Sequence, residues 1–293
     1  MNNVYITALS KFLPNAPVSN EEMEEYLGFI NDMPSKSKAI ILRHNKIKTR
    51  YYAITKEGKS THSNAQLTAE AIRGLENEYF KLSEMELLAG GTTSADQILP
   101  SHTSMVQGEL GGKATEIIST GGSCNAGMQA MKYSYLSVLS GNTKNAVAFG
   151  SEKLSTWMHA KNFKKESESW QQLDKKPILG FEKDFLRWML SDGAGAALLQ
   201  NQPNLLGDSL KIEWIEFRSY STELETCMYA GCEKNNDGTI TPWRDFSSEK
   251  VMNNSLFSLR QDVKLLGENI VKKGGEFLRE VIDKHQFNID EVD

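Results

Sequence analysis

The sequence predicts an α/β protein whose sheet is mainly parallel. Short apolar, β-branched stretches alternate along the chain with helical stretches of ten or more residues, which is the pattern of strand–helix–strand units. The 293 residues are enough to bury a sizeable core. With 39% hydrophobic and 24% charged residues, the composition is that of an ordinary globular protein and not of a disordered one.

The first hundred residues begin this alternation. VYITAL at residues 4–9 predicts an opening strand, and the acidic SNEEMEEYLGFI predicts a helix capped by Ser19 or Asn20. An amphipathic stretch over residues 64–85 predicts a long helix. ELLAGG then predicts a short strand, which breaks into a polar loop that ends at Pro100.

The middle of the chain continues the pattern up to about residue 200. A helix is expected to reach Leu110, and TEIIST is expected to form a strand that leads into a helix over about residues 125–140. NAVAFGSE, residues 145–152, predicts the next strand. The polar, lysine-rich segment at about 157–187 predicts an excursion from the sheet, after which SDGAGAALL, residues 191–199, returns as a strand.

A second cycle of elements is expected after residue 200. LKIEWIEFRSYS, residues 210–221, predicts a strand, NNDGT predicts a turn, and the tract from about 251 to 286 is helical in pattern. The final FNIDEVD is typical of the approach to a further strand.

Charge and cysteine content exclude several classes of function. The net charge of −5 disfavours nucleic acid as a partner, and no apolar run approaches the roughly 18 residues of a membrane span. The N-terminus lacks the features of a secretory signal. Three cysteines in no framework spacing predict reduced thiols and a cytoplasmic protein, without a Cys227–Cys232 disulfide. The five histidines are scattered, so no metal site is expected.

One cysteine lies in a setting that suits chemistry. In STGGSCNAGMQAM, residues 119–131, Cys124 follows a predicted strand at the head of a predicted helix, where unpaired N–H groups favour the thiolate. Gly121 and Gly122 permit a tight turn and leave room for a substrate carbonyl, whose oxyanion would lie near backbone N–H groups. The stretch predicts a nucleophile that takes up an acyl group; the alternative is a small buried hydrophobic residue.

Four blocks in order carry a resemblance to a known family. GGTTSADQILP, STGGSCNAGMQAM, AVAFGSEKLS and MLSDGAGAALL together resemble the β-ketoacyl-ACP synthase III branch of the thiolase superfamily. The resemblance implies a homodimer with a thiolase-like, five-layered α/β/α/β/α fold of two related halves and no bound cofactor. Residues 1–200 would form the half with the nucleophile, including the insertion at about 157–187, and residues 201–293 would begin an incomplete second half.

The resemblance also implies a reaction. Cys124 would be acylated by a starter thioester, and a malonyl-type extender on acyl carrier protein would then lose carbon dioxide and attack the acyl-enzyme. A role in fatty-acid or specialised lipid and polyketide synthesis follows, with dialkylresorcinol- or flexirubin-type members as one subtype. Two alternatives remain open: an acyltransferase of thiolase type without decarboxylation, and a non-catalytic partner subunit of a ketosynthase.

Three further positions are assigned through the same resemblance. Leu99 matches a commonly aromatic position that crosses the dimer interface to floor the partner's acyl pocket, so a leucine suggests a starter bulkier than acetyl; ordinary interface packing is the alternative. Ile40 lies about where many members carry a tryptophan that stacks on coenzyme A, which favours carrier-bound substrates. The histidine and asparagine that activate the extender would follow Asp293, so we expect a longer protein, and His285 is not that histidine.

A basic cluster near residue 45 is a candidate docking surface. It could meet an acidic carrier protein or the phosphate of its phosphopantetheine arm, although a solvated face is the commoner fate of such runs. Its members are Arg43, His44, Lys46, Lys48 and Arg50.

Overall fold

The computed structural model describes residues 2–30, 32–163 and 185–291. The strands are β1 Tyr5–Phe12, β2 Val18–Ser19, β3 Thr49–Arg50, β4 Leu87–Gly91, β5 Glu116–Thr120, β6 Asn145–Glu152, β7 Gly193–Gln200, β8 Leu210–Lys211, β9 Met228–Tyr229, β10 Cys232–Lys234, β11 Ile240–Pro242 and β12 Arg260–Gln261. The helices used below are α1 Met23–Leu27, α2 Lys38–Asn45, α3 Asn64–Arg73, α4 His102–Leu110, α5 Ala126–Ser140, α6 Ser155–Met158, α7 Ser248–Asn253 and α8 Val263–His285.

A six-stranded sheet in the order β5-β4-β6-β7-β1-β8 forms the centre of the fold. Strands β5, β4 and β6 are parallel to one another, whereas the β6–β7, β7–β1 and β1–β8 pairs are antiparallel. The prediction of a mainly parallel sheet was therefore wrong, and the sheet is mixed. An alternation of apolar strands and helices is compatible with both strand directions, so this pattern does not determine that β7 is antiparallel to its neighbours.

Helices cover both faces of this sheet, as the nearly continuous burial of β4 and β6 requires. Val147 and Phe149 of β6 point to the core beneath α3 and α4, where they meet Leu67 and Val106. Ala146 and its neighbours on the opposite face belong to the core beneath α5. The first half of the chain is therefore a three-layered α/β/α unit, and β6 occupies the predicted residues.

Helix α3 is shorter than the sequence pattern suggested. The Ser63 side chain accepts the N–H of Gln66, whose side chain accepts the N–H of Ser63, so the helix begins at a complete capping box. It ends at Gly74, and residues 82–84 form only a short 3-10 turn before β4. The predicted helix over 64–85 was wrong beyond Gly74, because apolar periodicity continued past the residue that stops the helix.

A second core lies beside the sheet at the two ends of the predicted insertion. Trp157, Met158, Leu186 and Trp188 pack there against the N-terminal helices, and the indole of Trp188 is fully buried. The residues at both ends of the predicted excursion therefore pack in this second core. Its middle, residues 164–184, lies outside the described residues.

The part of the chain after residue 200 differs from the prediction. Of the strand expected over 210–221, only Leu210–Lys211 pairs, with Tyr5 and Ile6 of β1. The remaining strands there have two or three residues, and the predicted helical tract divides into α7, β12 and α8. Among the described helices, none combines the length and apolar character needed to cross a bilayer.

Candidate active site

Cys124 lies in an exposed loop between β5 and α5, two residues before the helix begins. The carbonyl of Ser123 accepts the Ala126 N–H at 3.0 Å, and the Asn125 carbonyl accepts the Gln129 N–H at 3.0 Å. The Asn125 side chain does not cap the helix, since its oxygen accepts the side-chain amide of Gln129 instead. Cys124 therefore lies at the amino end of a 15-residue helix, which is the positive end of the helix dipole.

The first turn of α5 lies directly on the sheet. A Cβ atom on Gly91 would come within 2.2 Å of the Ala126 carbonyl carbon, and one on Gly127 would come within 3.1 Å of the Gly150 Cα. The Thr120 hydroxyl, at the end of β5, is 2.7 Å from the Ala126 carbonyl oxygen. The loop that carries Cys124 is consequently pinned at both ends to rigid elements, as a site that positions a reacting atom requires.

The two glycines that precede Cys124 occupy different surroundings. Gly122 has a φ of +127°, a conformation that other residues rarely adopt, and it turns the chain toward the helix. No atom lies within 4 Å of where a Gly121 side chain would begin. The positive φ at Gly122 accounts for the tight turn, and a role for either glycine beside a substrate carbonyl stays a prediction.

The loop between β4 and α4 starts at the same edge of the sheet. Glu152, at the end of β6, accepts the Thr93 N–H at 2.8 Å and the Ser94 hydroxyl at 2.5 Å. The far end of the loop is exposed: Leu99 is 81% exposed, and Ile98 is 74% exposed. Leu99 is thus exposed in the single chain, and its assigned role across a dimer interface stays a prediction.

His102, the first residue of α4, is buried at this edge of the sheet. Its Nε2 atom lies 3.0 Å from the Ser151 hydroxyl, and burial lowers the pKa of the imidazole to about 4. The ring is therefore neutral at neutral pH. In the described part of the chain, no group of three His, Cys, Asp or Glu side chains could hold a metal ion.

The other two cysteines differ from Cys124 in their exposure. Cys227 is half-buried, with the Gln261 side-chain amide 2.9 Å from its sulfur, and Cys232 is buried. Burial raises the pKa of both thiols, which keeps them protonated and unreactive. Both are free, as expected from their spacing.

The basic cluster divides into surface and buried members. Arg43 and His44 lie in the last turn of α2, while Lys46 and Lys48 follow it, and all four side chains are exposed. The sequence did not predict α2, which also carries Ile40, 53% exposed, one turn before Arg43. These residues therefore form one surface, with an apolar side chain beside several cations.

Arg50 does not belong to that surface, so its assignment to docking was wrong. Its side chain is 1% exposed and donates to the Trp188 carbonyl at 2.5 Å and to the Asn20 side-chain oxygen at 3.3 Å. Burial lowers the pKa of the guanidinium. Arg50 instead ties β3 to the second core, because its long side chain reaches a carbonyl distant in sequence.

Sequence comparison gives consistent relatives at low identity. The chain is 23% identical over 292 residues to β-ketoacyl-[acyl-carrier-protein] synthase III of Clostridium perfringens, an alignment that covers all of this chain and 76% of the relative. The protein of the same name from Clostridium acetobutylicum is 24% identical over 296 residues, with 75% of its length covered. No protein-family model matches the chain.

Solved structures give the same fold. AbyA1, a tetronic acid condensing enzyme, superimposes with a TM-score of 0.71 at 19% identity, covering 99% of this chain and 77% of that one. A cysteine-to-serine variant of Xanthomonas campestris OleA with bound lauric acid and lauroyl-CoA gives 0.65 at 14% identity, covering 99% and 76%. At such identities the likeness establishes the thiolase-like fold.

Proposed function

The chain is related over its full length to the β-ketoacyl-[acyl-carrier-protein] synthase III proteins and has a thiolase-like fold, and from this premise we propose that it is a condensing enzyme of the same type. Its substrates are acyl thioesters carried on phosphopantetheine, and its nucleophile is Cys124. A role in fatty-acid or specialised lipid synthesis follows from this chemistry.

The observation that carries the proposal is the position of Cys124. It is exposed, it lies at the carboxyl edge of the parallel strands, and it borders the first turn of α5. The Cys124 thiol gives up its proton and the thiolate attacks the thioester carbonyl. A carbon–sulfur bond to Cys124 forms, the bond from the acyl carbon to the carrier sulfur breaks, and the carrier leaves as a thiol after taking up one proton in exchange. Backbone N–H groups at the start of α5 suit the oxyanion of that step.

The second half-reaction consumes this acyl-enzyme. A malonyl-type extender loses carbon dioxide, the resulting carbanion attacks the acyl carbonyl, and the bond to Cys124 breaks to regenerate the thiolate. The resemblance assigns extender activation to a histidine and an asparagine of the second half, and we assign neither role to a residue described above. The residues of this chain therefore support the acylation step directly.

Leu99 and the α2 surface support two narrower parts of the proposal. An exposed Leu99 in the loop after β4 suits a homodimer in which each copy completes the partner's acyl pocket, with space for a starter longer than acetyl. The exposed cations Arg43, Lys46 and Lys48 suit an acidic carrier protein or a phosphate.

Acyl transfer to the protein tests the function. Incubation with the lauroyl thioester of N-acetylcysteamine should add one lauroyl group to the intact mass of the wild type. Cys124→Ala should abolish the adduct, whereas Cys227→Ala, the matched control, should retain it. Absence of the adduct in the wild type would favour a non-catalytic partner subunit.

Product analysis with an acyl donor and a malonyl carrier protein then separates the two enzymatic alternatives. Release of carbon dioxide with a β-ketoacyl product supports condensation, and acyl exchange without carbon dioxide supports a transferase. The double variant Lys46→Ala/Lys48→Ala should weaken carrier binding with little effect on the N-acetylcysteamine reaction, since that donor lacks a carrier.

A further inference from the structure

We propose that Glu152 is a positioning residue that holds the loop of residues 92–101 and thereby, in the proposed homodimer, sets which acyl chains the partner's Cys124 accepts. The inference rests on the proposed function, because it concerns the acyl selectivity of that same site. It assigns a role in selectivity to a side chain at the end of β6, whereas Cys124 and Leu99 lie in the loops that follow β5 and β4.

The carboxylate of Glu152 binds the first three residues of the loop. Its Oε1 atom accepts the Thr93 N–H at 2.8 Å, and its Oε2 atom accepts the Ser94 hydroxyl at 2.5 Å. The Thr92 hydroxyl also lies 3.5 Å from Oε2. Hydrogen bonds to an ionised acceptor are stronger than those between neutral groups. Both oxygens are used as acceptors, and a glutamine offers only one.

A buried amide completes the anchor. Asn64, at the start of α3, is fully buried, and its side-chain amide donates to the Thr92 hydroxyl oxygen at 3.0 Å and to the Ser94 carbonyl at 2.9 Å. The Ser94 hydroxyl oxygen also accepts the Lys153 N–H at 2.8 Å. The base of the loop is thus fixed to both β6 and α3.

The rest of the loop has less support as it approaches Leu99. Asp96 accepts the N–H groups of Asn64 and Ala65 through both carboxylate oxygens, so the loop is still attached to α3 at that residue. Ile98 and Leu99, two and three residues later, are among the most exposed apolar side chains described. Their direction therefore depends on the anchored segment that precedes them.

The order of the strands fixes where the loop leaves the sheet. Gly91, the last residue of β4, is paired with Thr120 of β5 and Gly150 of β6. The loop thus starts between the strand that leads to Cys124 and the strand that ends at Glu152. A displacement at its base moves Leu99 relative to its own sheet, and hence relative to the partner copy whose pocket Leu99 would complete.

A competition experiment with the full chain tests the inference. Equimolar butyryl and lauroyl thioesters of N-acetylcysteamine are offered, and the two adducts on Cys124 are quantified by intact mass. Glu152→Gln and Ser94→Ala should each change the lauroyl-to-butyryl ratio about three- to tenfold, since small displacements of a positioning group change rates by such factors or more. Hydrogen exchange in residues 92–98 should become faster in both variants.

Asn145→Ala is the matched control at the other end of β6. The Asn145 amide accepts the Glu86 N–H at 3.0 Å and donates to the Glu84 carbonyl at 3.1 Å. It should lower stability while leaving the adduct ratio at its wild-type value. An equal change of the ratio in Asn145→Ala would overturn the inference, because it would show general destabilisation.

The remaining outcomes separate the inference from the proposed function. A wild-type ratio in both Glu152→Gln and Ser94→Ala would show that Glu152 does not set selectivity, although Cys124 still takes up acyl groups. A wild type that gains no acyl mass would remove the proposed function and the inference with it. If Glu152→Gln does not fold, Ser94→Ala decides the question.

Discussion

Strand-like and helix-like sequence patterns occur both in the first 200 residues and in the region after them. The secondary-structure elements that form differ in length and burial between the two regions. The central sheet is covered on both faces, and its strands β6 and β7 have eight residues each. In residues 201–291 the strands have two or three residues, and α8, with 23 residues, has Val281 as its buried residue. A strand-like pattern becomes a strand only where another backbone is available to pair with it.

The segment after β8 shows this difference at the level of side chains. Trp214 stacks on His285 with ring centroids 4.6 Å apart, Glu216 binds Lys284 and His285, and Arg218 binds Glu280. These alternate residues all contact α8, as they would in a strand packed on a helix. Within the described residues, none of 212–221 belongs to a strand, although the side chains alternate.

Paired phenylalanine substitutions would test this contrast with the largest expected effect. Phe149 is 2% exposed and its ring packs against the backbone of Gly90, whereas Phe257 is 48% exposed. Phe149→Ala should lower the free energy of unfolding by about 3–5 kcal/mol through lost burial and a cavity. Phe257→Ala should cost less than about 1 kcal/mol. Urea unfolding measures both, and similar losses would show that the two regions are equally packed.

A measurement of the unfolding free energy as a function of pH would show how strongly burial in the first region affects a titratable side chain. Burial lowers the pKa of His102 to about 4, so the folded state favours the neutral ring. The resulting stabilisation is complete above the ordinary pKa of 6.5 and is lost as the pH falls to about 4; it amounts to about 3 kcal/mol. His102→Gln should flatten the dependence of unfolding free energy on pH in this window, and an unchanged slope would contradict the prediction.

The smallest expected effect lies in the second region. Hydrogen bonds from Lys284 and His285 lower the pKa of Glu216 to about 2 from the ordinary 4.5. The folded state therefore favours the ionised carboxylate, and this stabilisation is present above pH 4.5 and lost as the pH falls toward 2. For a pair near the surface we expect less than about 1 kcal/mol. Urea unfolding at about pH 5 and about pH 3 measures how much unfolding free energy each protein loses on acidification. Glu216→Gln should lose less than the wild type over this interval, and equal losses in the two proteins would contradict the prediction.

The local parts of the candidate site could be predicted from the sequence. The glycine pair, the single cysteine and the following helix all lie within STGGSCNAGMQAM, and the structure places Cys124 in an exposed loop at the start of α5. Strand β6 was also predicted, because a continuous apolar run is typical of a strand buried on both faces. These features depend on neighbouring residues and on the burial pattern.

The distant contacts could not be predicted. Arg50 belongs to a run of cations whose sequence pattern indicates an exposed surface. Its side chain is instead buried and contacts the carbonyl of Trp188, 138 residues away. Glu152 and Ser94 are joined by a hydrogen bond although they are 58 residues apart in sequence. The Asn64 side chain binds the same loop from the start of α3. No periodicity in the sequence marks such pairs.

The sequence by itself determined the alternation of strands and helices, the turn at the glycine pair and the position of the thiol before a helix, because steric and burial preferences act between near neighbours. The tertiary structure decided the direction of β7, the absence of pairing for most of residues 210–221 within the described chain, the burial of Arg50 and the anchoring of the loop to Glu152. Each of these depends on which backbone or polar group lies opposite, and that is established only when distant segments pack together.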